Sequence, residues 1–266
     1  VGVRVTNVPV NREGLVSPLD VAAACTPDTA LISIMLANNE TGAIQPVAEI
    51  AALARERGIP MHTDAAQAVG KIPVDLQALG VDFLTVAGHK LYAPKGVGAL
   101  YVREGSDLPP WLRGGGQEGG YRAGTENVPY IVALGEACAL AAEDLDQEIA
   151  RQEDLGGVFL AGLQKLGKPF VLHSAGAPRL SNTMAVGFTG YRAADLLSGL
   201  VGMDLAVSAG AACHGDTTTV SHVLEAMAIP DEVAHGTLRF SWGRPTTLEE
   251  VEEVLDRLGQ VLAGID

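Results

Sequence analysis

The residues able to do chemistry gather just behind apolar runs. Asn38, Asn39 and Glu40 follow "ALISIML", Asp64 and Gln67 follow "IPMHT", and Gly88, His89 and Lys90 follow "VDFLTV". In an open parallel sheet, ligands sit beyond the carboxyl ends of the strands. Three successive strand ends therefore offer an amide, a carboxylate and an ammonium to one crevice. A lysine flanked by partly apolar surroundings can lose enough basicity to condense with an aldehyde. A nearby acid can keep a pyridine nitrogen protonated, and pyridoxal phosphate (PLP) chemistry asks for that pair. Each residue alone has a plainer reading. Lys90 could be solvated, Asp64 could cap the segment "AAQAVG", and Asn38 and Asn39 could be turn residues. Their conjunction favours a cofactor.

A second reactive group lies in "AVSAGAACHGDTT". Cys213 has small, flexible neighbours where a structural thiol would have bulky apolar ones. It reads as a nucleophile on a loop, with an inert loop thiol as the alternative. The thiolate is the attacking species, so local activation is expected. Neither His214 nor His222 can be assigned that task from the sequence. Cys213, His214 and His222 do not match zinc spacings, so no metal site is expected. Cys25 and Cys138 lie in Ala-rich helical runs and read as core packing. "GGGQEGG" lacks the Lys-Ser/Thr ending of a phosphate-binding P-loop.

The elements that must position these groups alternate. "VRVTNVPV" reads as a strand, and "SPLDVAAACT" as a helix with Ser17 capping, Pro18 first and Asp20 where a capping box wants an acid. "ALISIML" reads as a strand buried on both faces, and "QPVAEIAALARERG" as a helix stopped by Gly58. "IPMHT", "VDFLTV" and "VGALYV" read as further strands around the helical turn "VDLQALG". This is an α/β pattern with a mainly parallel sheet. From "VPYIVALGEAC" to "LAGLQKLG" the chain reads as long and helical. "NTMAVGF", "AADLLSGLVG", "SHVLEAMA", "TLRFSW" and a helix from Thr247 then indicate a smaller α+β domain. The expected domains are residues 1–145 and 146–266.

Hydrophobic residues make up 47 % and charged residues 19 %, a globular rather than disordered balance. The formal net charge of −14 disfavours nonspecific nucleic-acid binding and would suit a basic protein partner. Three scattered cysteines without a CxxC pair argue for a reducing compartment, hence the cytoplasm. There is neither a signal peptide nor a bilayer-length apolar run, so no membrane role is expected.

"NNETG", "HTDAAQAVGK", "GHKLYAPKGVGALYVR", "GGGQEGGYRAGTEN", "SAGAACH" and "LRFSWGR" occur in that order. Together they resemble the class V, fold-type I PLP enzymes. More narrowly they resemble cysteine desulfurases with a longer cysteine loop, and their relatives the selenocysteine lyases. The resemblance implies that Lys90 forms the Schiff base, Asp64 pairs with the pyridinium nitrogen, and Gln67 bonds the ring hydroxyl. It implies Asn39 beside cofactor and substrate carboxylate, and His89 on the phosphate. Thr125 would reach the phosphate in the partner subunit of a homodimer. Arg239 would clamp the substrate carboxylate, its alternative being a strand arginine on a solvated face. Cys213 would attack the sulfur of L-cysteine, leave L-alanine, and pass its persulfide to an acceptor protein for iron–sulfur cluster assembly or other thiolation. Selenocysteine lyase, a PLP aminotransferase-like enzyme and an inactive subunit are the alternatives.

Two departures stand out. Many desulfurases carry Ser before the Gly-His-Lys motif as a phosphate ligand, and here that position is Ala87. The family's N-terminal segment, with a phosphate loop and a ring-stacking histidine, does not precede Val1. The expectation is therefore an N-terminally truncated enzyme with an incomplete large domain.

Overall fold

A computed structural model describes residues 2–201, 207–209 and 220–265. The chain forms two compact units. One comprises Val21–Leu36 and Pro46–Leu145, and the other Val1–Asp20, Ala37–Gln45 and Asp146–Asp266. The second unit thus takes in residues 1–20 and 37–45 as well as everything from the start of the smaller expected domain.

The first unit is built on a four-stranded sheet in the order β1 (Ile32–Met35), β2 (Met61–Asp64), β3 (Phe83–Ala87) and β4 (Gly98–Val102). β1–β2 and β2–β3 pair parallel, while β3–β4 pair antiparallel. Helix α2 (Val47–Glu56) buries Val47, Ile50, Ala51 and Ala54. That spacing is one face of a 3.6-residue period. Gly58, at φ 66°, makes the left-handed turn that ends it. The short helix α3 (Leu76–Leu79) is capped by Asp75, whose Oδ1 accepts from the N–H groups of Gln77 and Ala78. Helix α1 (Pro18–Ala24) begins as its sequence indicates, with Asp20 N–H donating to Ser17 Oγ at 3.3 Å. Helix α4 (Val128–Glu143) presses Leu134 and Ala137 onto Leu91 and Ala93.

Two sequence expectations need correction here. Residues 3–10 form no strand; the segment makes one isolated bridge, Val10 to Val16, and Val3 and Val5 are exposed. Alternating side chains do not make a strand without a neighbouring ladder. β1 is not buried on both faces, because Ser33 and Met35 face solvent while Ile32 is buried. The stretch read as long and helical is helical, formed by α4 and α5 (Leu145–Lys165) and interrupted at Asp144.

The second unit carries an antiparallel sheet in the order β5 (Phe170–Leu172), β6 (Thr183–Phe188) and β7 (Thr237–Ser241). α5, α6 (Ala193–Val201) and α9 (Leu248–Ile265) cover one face. There Phe159, Leu163, Leu196 and Leu258 pack against Met184, Val186, Phe188, Leu238 and Phe240. α9 starts from a full capping box: Thr247 N–H donates to the Glu250 carboxylate and Glu250 N–H to Thr247 Oγ1. Two short helices, α7 (His222–Ala226) and α8 (Asp231–Ala234), precede β7.

Strand alternation leaves Thr183, Thr237, Arg239 and Ser241 on the other, polar face. His173, just past β5, is only 2 % exposed, and its Nε2 lies 2.9 Å from Thr237 Oγ1. Thr237 gives its own proton to the Val233 carbonyl. His173 Nε2–H must therefore donate, and Nδ1 is left bare, buried and without a partner among the described residues. Burial lowers the His173 pKa to about 4, against a smaller opposing pull from Glu13.

The folded state keeps this imidazole neutral, whereas the unfolded chain protonates it near its ordinary value of 6.5. Its contribution to stability is complete above pH 6.5 and is lost as the pH falls through that window to about 4. The difference in unfolding free energy between wild type and His173→Gln should shrink by about 3 kcal/mol between pH 7 and pH 4. Denaturant titrations at the two pH values measure it, and a difference that does not change with pH contradicts it.

Candidate functional site

The lysine turn is the most constrained part of the first unit. β3 ends at Ala87, and residues Gly88–Leu91 form a single 3₁₀ turn. Gly88 N–H donates to the Val97 carbonyl, and Leu91 is buried against α4. This leaves His89 and Lys90 exposed between two anchors.

Asp64 is the last residue of β2, paired in register with Thr85 of β3, and Ala65 N–H donates to the Thr85 carbonyl at 3.0 Å. The carboxylate and the lysine turn thus lie at the same end of adjacent parallel strands. Asp64 Oδ1 accepts from Ala66 N–H at 2.8 Å, so the capping alternative is also realised, over a series of turns rather than a helix. In that series Lys71 Nζ donates to Gln67 Oε1 at 3.3 Å. With its oxygen engaged by Lys71, the Gln67 amide has its NH₂ as its donor. Thr125 is exposed, in the segment before α4. The glycine-rich loop leading to it is tied by Gly124 N–H donating to Gln117 Oε1 and by Arg122 donating to the Gly124 carbonyl.

His62 escaped the sequence reading. It sits two residues before Asp64, hence on the same sheet face, with Nδ1 2.8 Å from Ser33 Oγ and Nε2 2.9 Å from Thr85 Oγ1. Burial lowers its pKa, and the Asp64 carboxylate pulls the other way. The i, i+2 spacing was the available signal.

The second unit holds Asn39 and Arg239. Asn38 Oδ1 accepts from the N–H groups of Glu40 and Thr41, which closes a tight turn. The carbonyl of Asn39, inside that turn, accepts from Arg239 Nη1 at 2.9 Å. Arg239 Nε is buried and has no acceptor among the described residues. A guanidinium held by Nη1 keeps its Nε/Nη2 edge for a carboxylate, the geometry of a two-point clamp. The solvated-face reading of Arg239 does not survive, since the residue is only partly exposed. Cys213 and His214 lie outside the described residues. Cys25 and Cys138 are free thiols of intermediate burial, the second packed beside the Leu91 cluster.

The family model for aminotransferase class V matches residues 1–254. The chain belongs to the class-V aminotransferase family. It is 43 % identical over 261 residues to the cysteine desulfurase IscS of Dictyoglomus turgidum, covering 98 % of this chain and 66 % of that protein. Against the cysteine desulfurase NifS of Azotobacter vinelandii the identity is 41 %, over 99 % of this chain and 66 % of the relative. The chain spans just under two thirds of the length of these relatives. A solved NifS-like protein superposes with TM-score 0.89 at 36 % identity, covering 99 % of this chain and 69 % of that one. A NifS-like protein from Rickettsia africae gives TM-score 0.87 at 30 % identity, over 96 % and 69 %. No helix among the described residues is long and apolar enough to cross a membrane.

The donor set of this class-V chain fits PLP by its chemistry. Lys90 offers an amine to an aldehyde, Asp64 an acceptor to a protonated ring nitrogen, and the Gln67 NH₂ a donor to a ring oxygen. Gly88 keeps the lysine turn close to the neighbouring chain, because a Cβ there would stand 2.7 Å from the Val97 carbonyl oxygen. Gly88→Ala should cost about 1–3 kcal/mol through that overlap. Thermal unfolding measures the loss, and an unchanged midpoint contradicts the close approach.

Proposed function

We propose that this chain is a PLP-dependent cysteine desulfurase, converting L-cysteine to L-alanine with transient storage of the sulfur on Cys213. The observation that carries the reading is the placement of Asp64 and the Lys90 turn at the same end of parallel neighbours β2 and β3. The desulfurase names of relatives at 41–43 % identity narrow it from the family to the reaction.

When bound, PLP supplies an electron sink that weakens bonds around the substrate carbon. Lys90 tethers the cofactor aldehyde, and its freed amine takes the substrate Cα proton. Asp64 keeps the ring nitrogen protonated, which makes the sink effective. Gln67 donates to the ring oxygen, His89 serves the phosphate, Thr125 serves the phosphate held by a partner subunit, and Asn39 serves cofactor and substrate binding. Arg239 holds the substrate carboxylate through its Nε/Nη2 edge. The Cys213 thiolate attacks the substrate sulfur: an S–S bond forms, the C–S bond breaks, and its electron pair returns to the substrate carbon, which is protonated. The result is L-alanine and a Cys213 persulfide, whose outer sulfur passes to an acceptor thiol. The reading also includes a homodimer. Trp111 at 93 %, Val132 at 64 % and Val128 at 59 % exposure give the first unit apolar surface suited to association.

With PLP, L-cysteine and a reducing thiol, alanine and sulfide should appear in equal amounts. Cys213→Ala should keep the visible cofactor chromophore and lose sulfide release. Continued sulfide release by that variant contradicts the desulfurase reading and favours another class-V reaction in which Cys213 is incidental.

A further inference from the structure

Glu40 occupies the tip of a turn, where acidic side chains are ordinarily solvated. It is instead 3 % exposed, and its neighbour Thr41 is 1 % exposed. Its carboxylate Oε2 accepts from Ser221 Oγ at 2.6 Å, across 181 residues of sequence. Ser221 is fixed in turn: its Oγ accepts from Val223 N–H and caps α7. The backbone N–H of Glu40 is engaged by Asn38 Oδ1, so the residue is held at both ends. The next carbonyl back along the chain, that of Asn39, accepts from Arg239 Nη1. An O–H donor to a buried carboxylate makes a short, strong hydrogen bond. A buried acid is expensive to keep unless it is so partnered.

We infer that Glu40 is a positioning residue for the substrate carboxylate. The Ser221–Glu40 hydrogen bond braces the 38–41 turn, the braced turn holds the Asn39 carbonyl against Arg239 Nη1, and that contact fixes which edge of the guanidinium remains for the ligand. Glu40 touches neither substrate nor cofactor; it acts through Asn39 and Arg239. This inference rests on the desulfurase reading, in which Arg239 binds the carboxylate of L-cysteine. Removing a group that supports ground-state and transition-state binding alike raises KM and leaves kcat nearly unchanged.

The test is steady-state desulfuration by the PLP-loaded protein, with L-alanine binding followed through the cofactor absorbance as a readout independent of turnover. Glu40→Ala should raise KM for L-cysteine about tenfold, with kcat within about threefold, and should weaken L-alanine binding by a similar factor. Glu40→Gln, which keeps an oxygen acceptor of the same size, should recover most of that loss. In an Arg239→Lys background, Glu40→Ala should add little, because the contact it serves is already gone. Should Glu40→Ala fail to fold, Ser221→Ala makes the same comparison and should shift KM in the same direction. An unchanged KM in the folded variant, or a full additional loss in the Arg239→Lys background, overturns the inference. A wild-type protein that forms the chromophore but releases no sulfide would instead sink the desulfurase reading.

Discussion

The parallel pairing of β2 with β3 is the constraint on which the proposed cofactor chemistry depends. Because the strands run the same way, with Asp64 opposite Thr85, the end of β2 and the turn after β3 fall at one edge of the sheet. An antiparallel pair would have sent the carboxylate and the amine to opposite edges. The edge is then stiffened from three sides. β4 returns antiparallel beside β3, Gly88 lets the lysine turn sit against Val97, and Leu91 is pinned by α4. Beneath Asp64, His62 spans from Ser33 of β1 to Thr85 of β3 and ties three strands together.

The second unit holds a guanidinium by its Nη1 and leaves Nε without an acceptor among the described residues. Arg239 stands in the β7 ladder opposite Ala185, and its guanidinium is held from outside that ladder. A side-chain-closed turn at Asn38 presents one backbone carbonyl to Arg239, and a buried carboxylate next to it reaches a serine far along the chain. Within each unit these groups are held by backbone groups and short polar links rather than by loop side chains alone. Stiff supports of this kind are what preorganised charge recognition requires.

Much of this was legible in the sequence because the signals were local. The helical turn "VDLQALG", the helix from Thr247, and Gly58 after an apolar period announce α3, α9 and the end of α2. The strand-end positions of Asp64 and Lys90 followed from apolar runs of strand length. What escaped depends on distant partners. Residues 3–10 alternate correctly and still have no ladder, and β1 has the composition of a buried strand while exposing Ser33 and Met35. The break at Asp144 leaves no mark in a helical run without Gly or Pro beside it. Glu40 stood out only as a polar residue behind "ALISIML", and nothing near it in sequence reveals Ser221. His173 gave no sign either, because its burial is set by Thr237 and the polar face of a sheet formed later in the chain.

The central claim is that one lysine, placed beside Asp64 by the sheet, captures the cofactor. Borohydride reduction of the protein after incubation with PLP, followed by peptide mapping, tests it most directly. The pyridoxyl group should be found on Lys90, and replacing Asp64 by Asn should weaken its capture. A label on any other lysine, or none on Lys90, would contradict the claim.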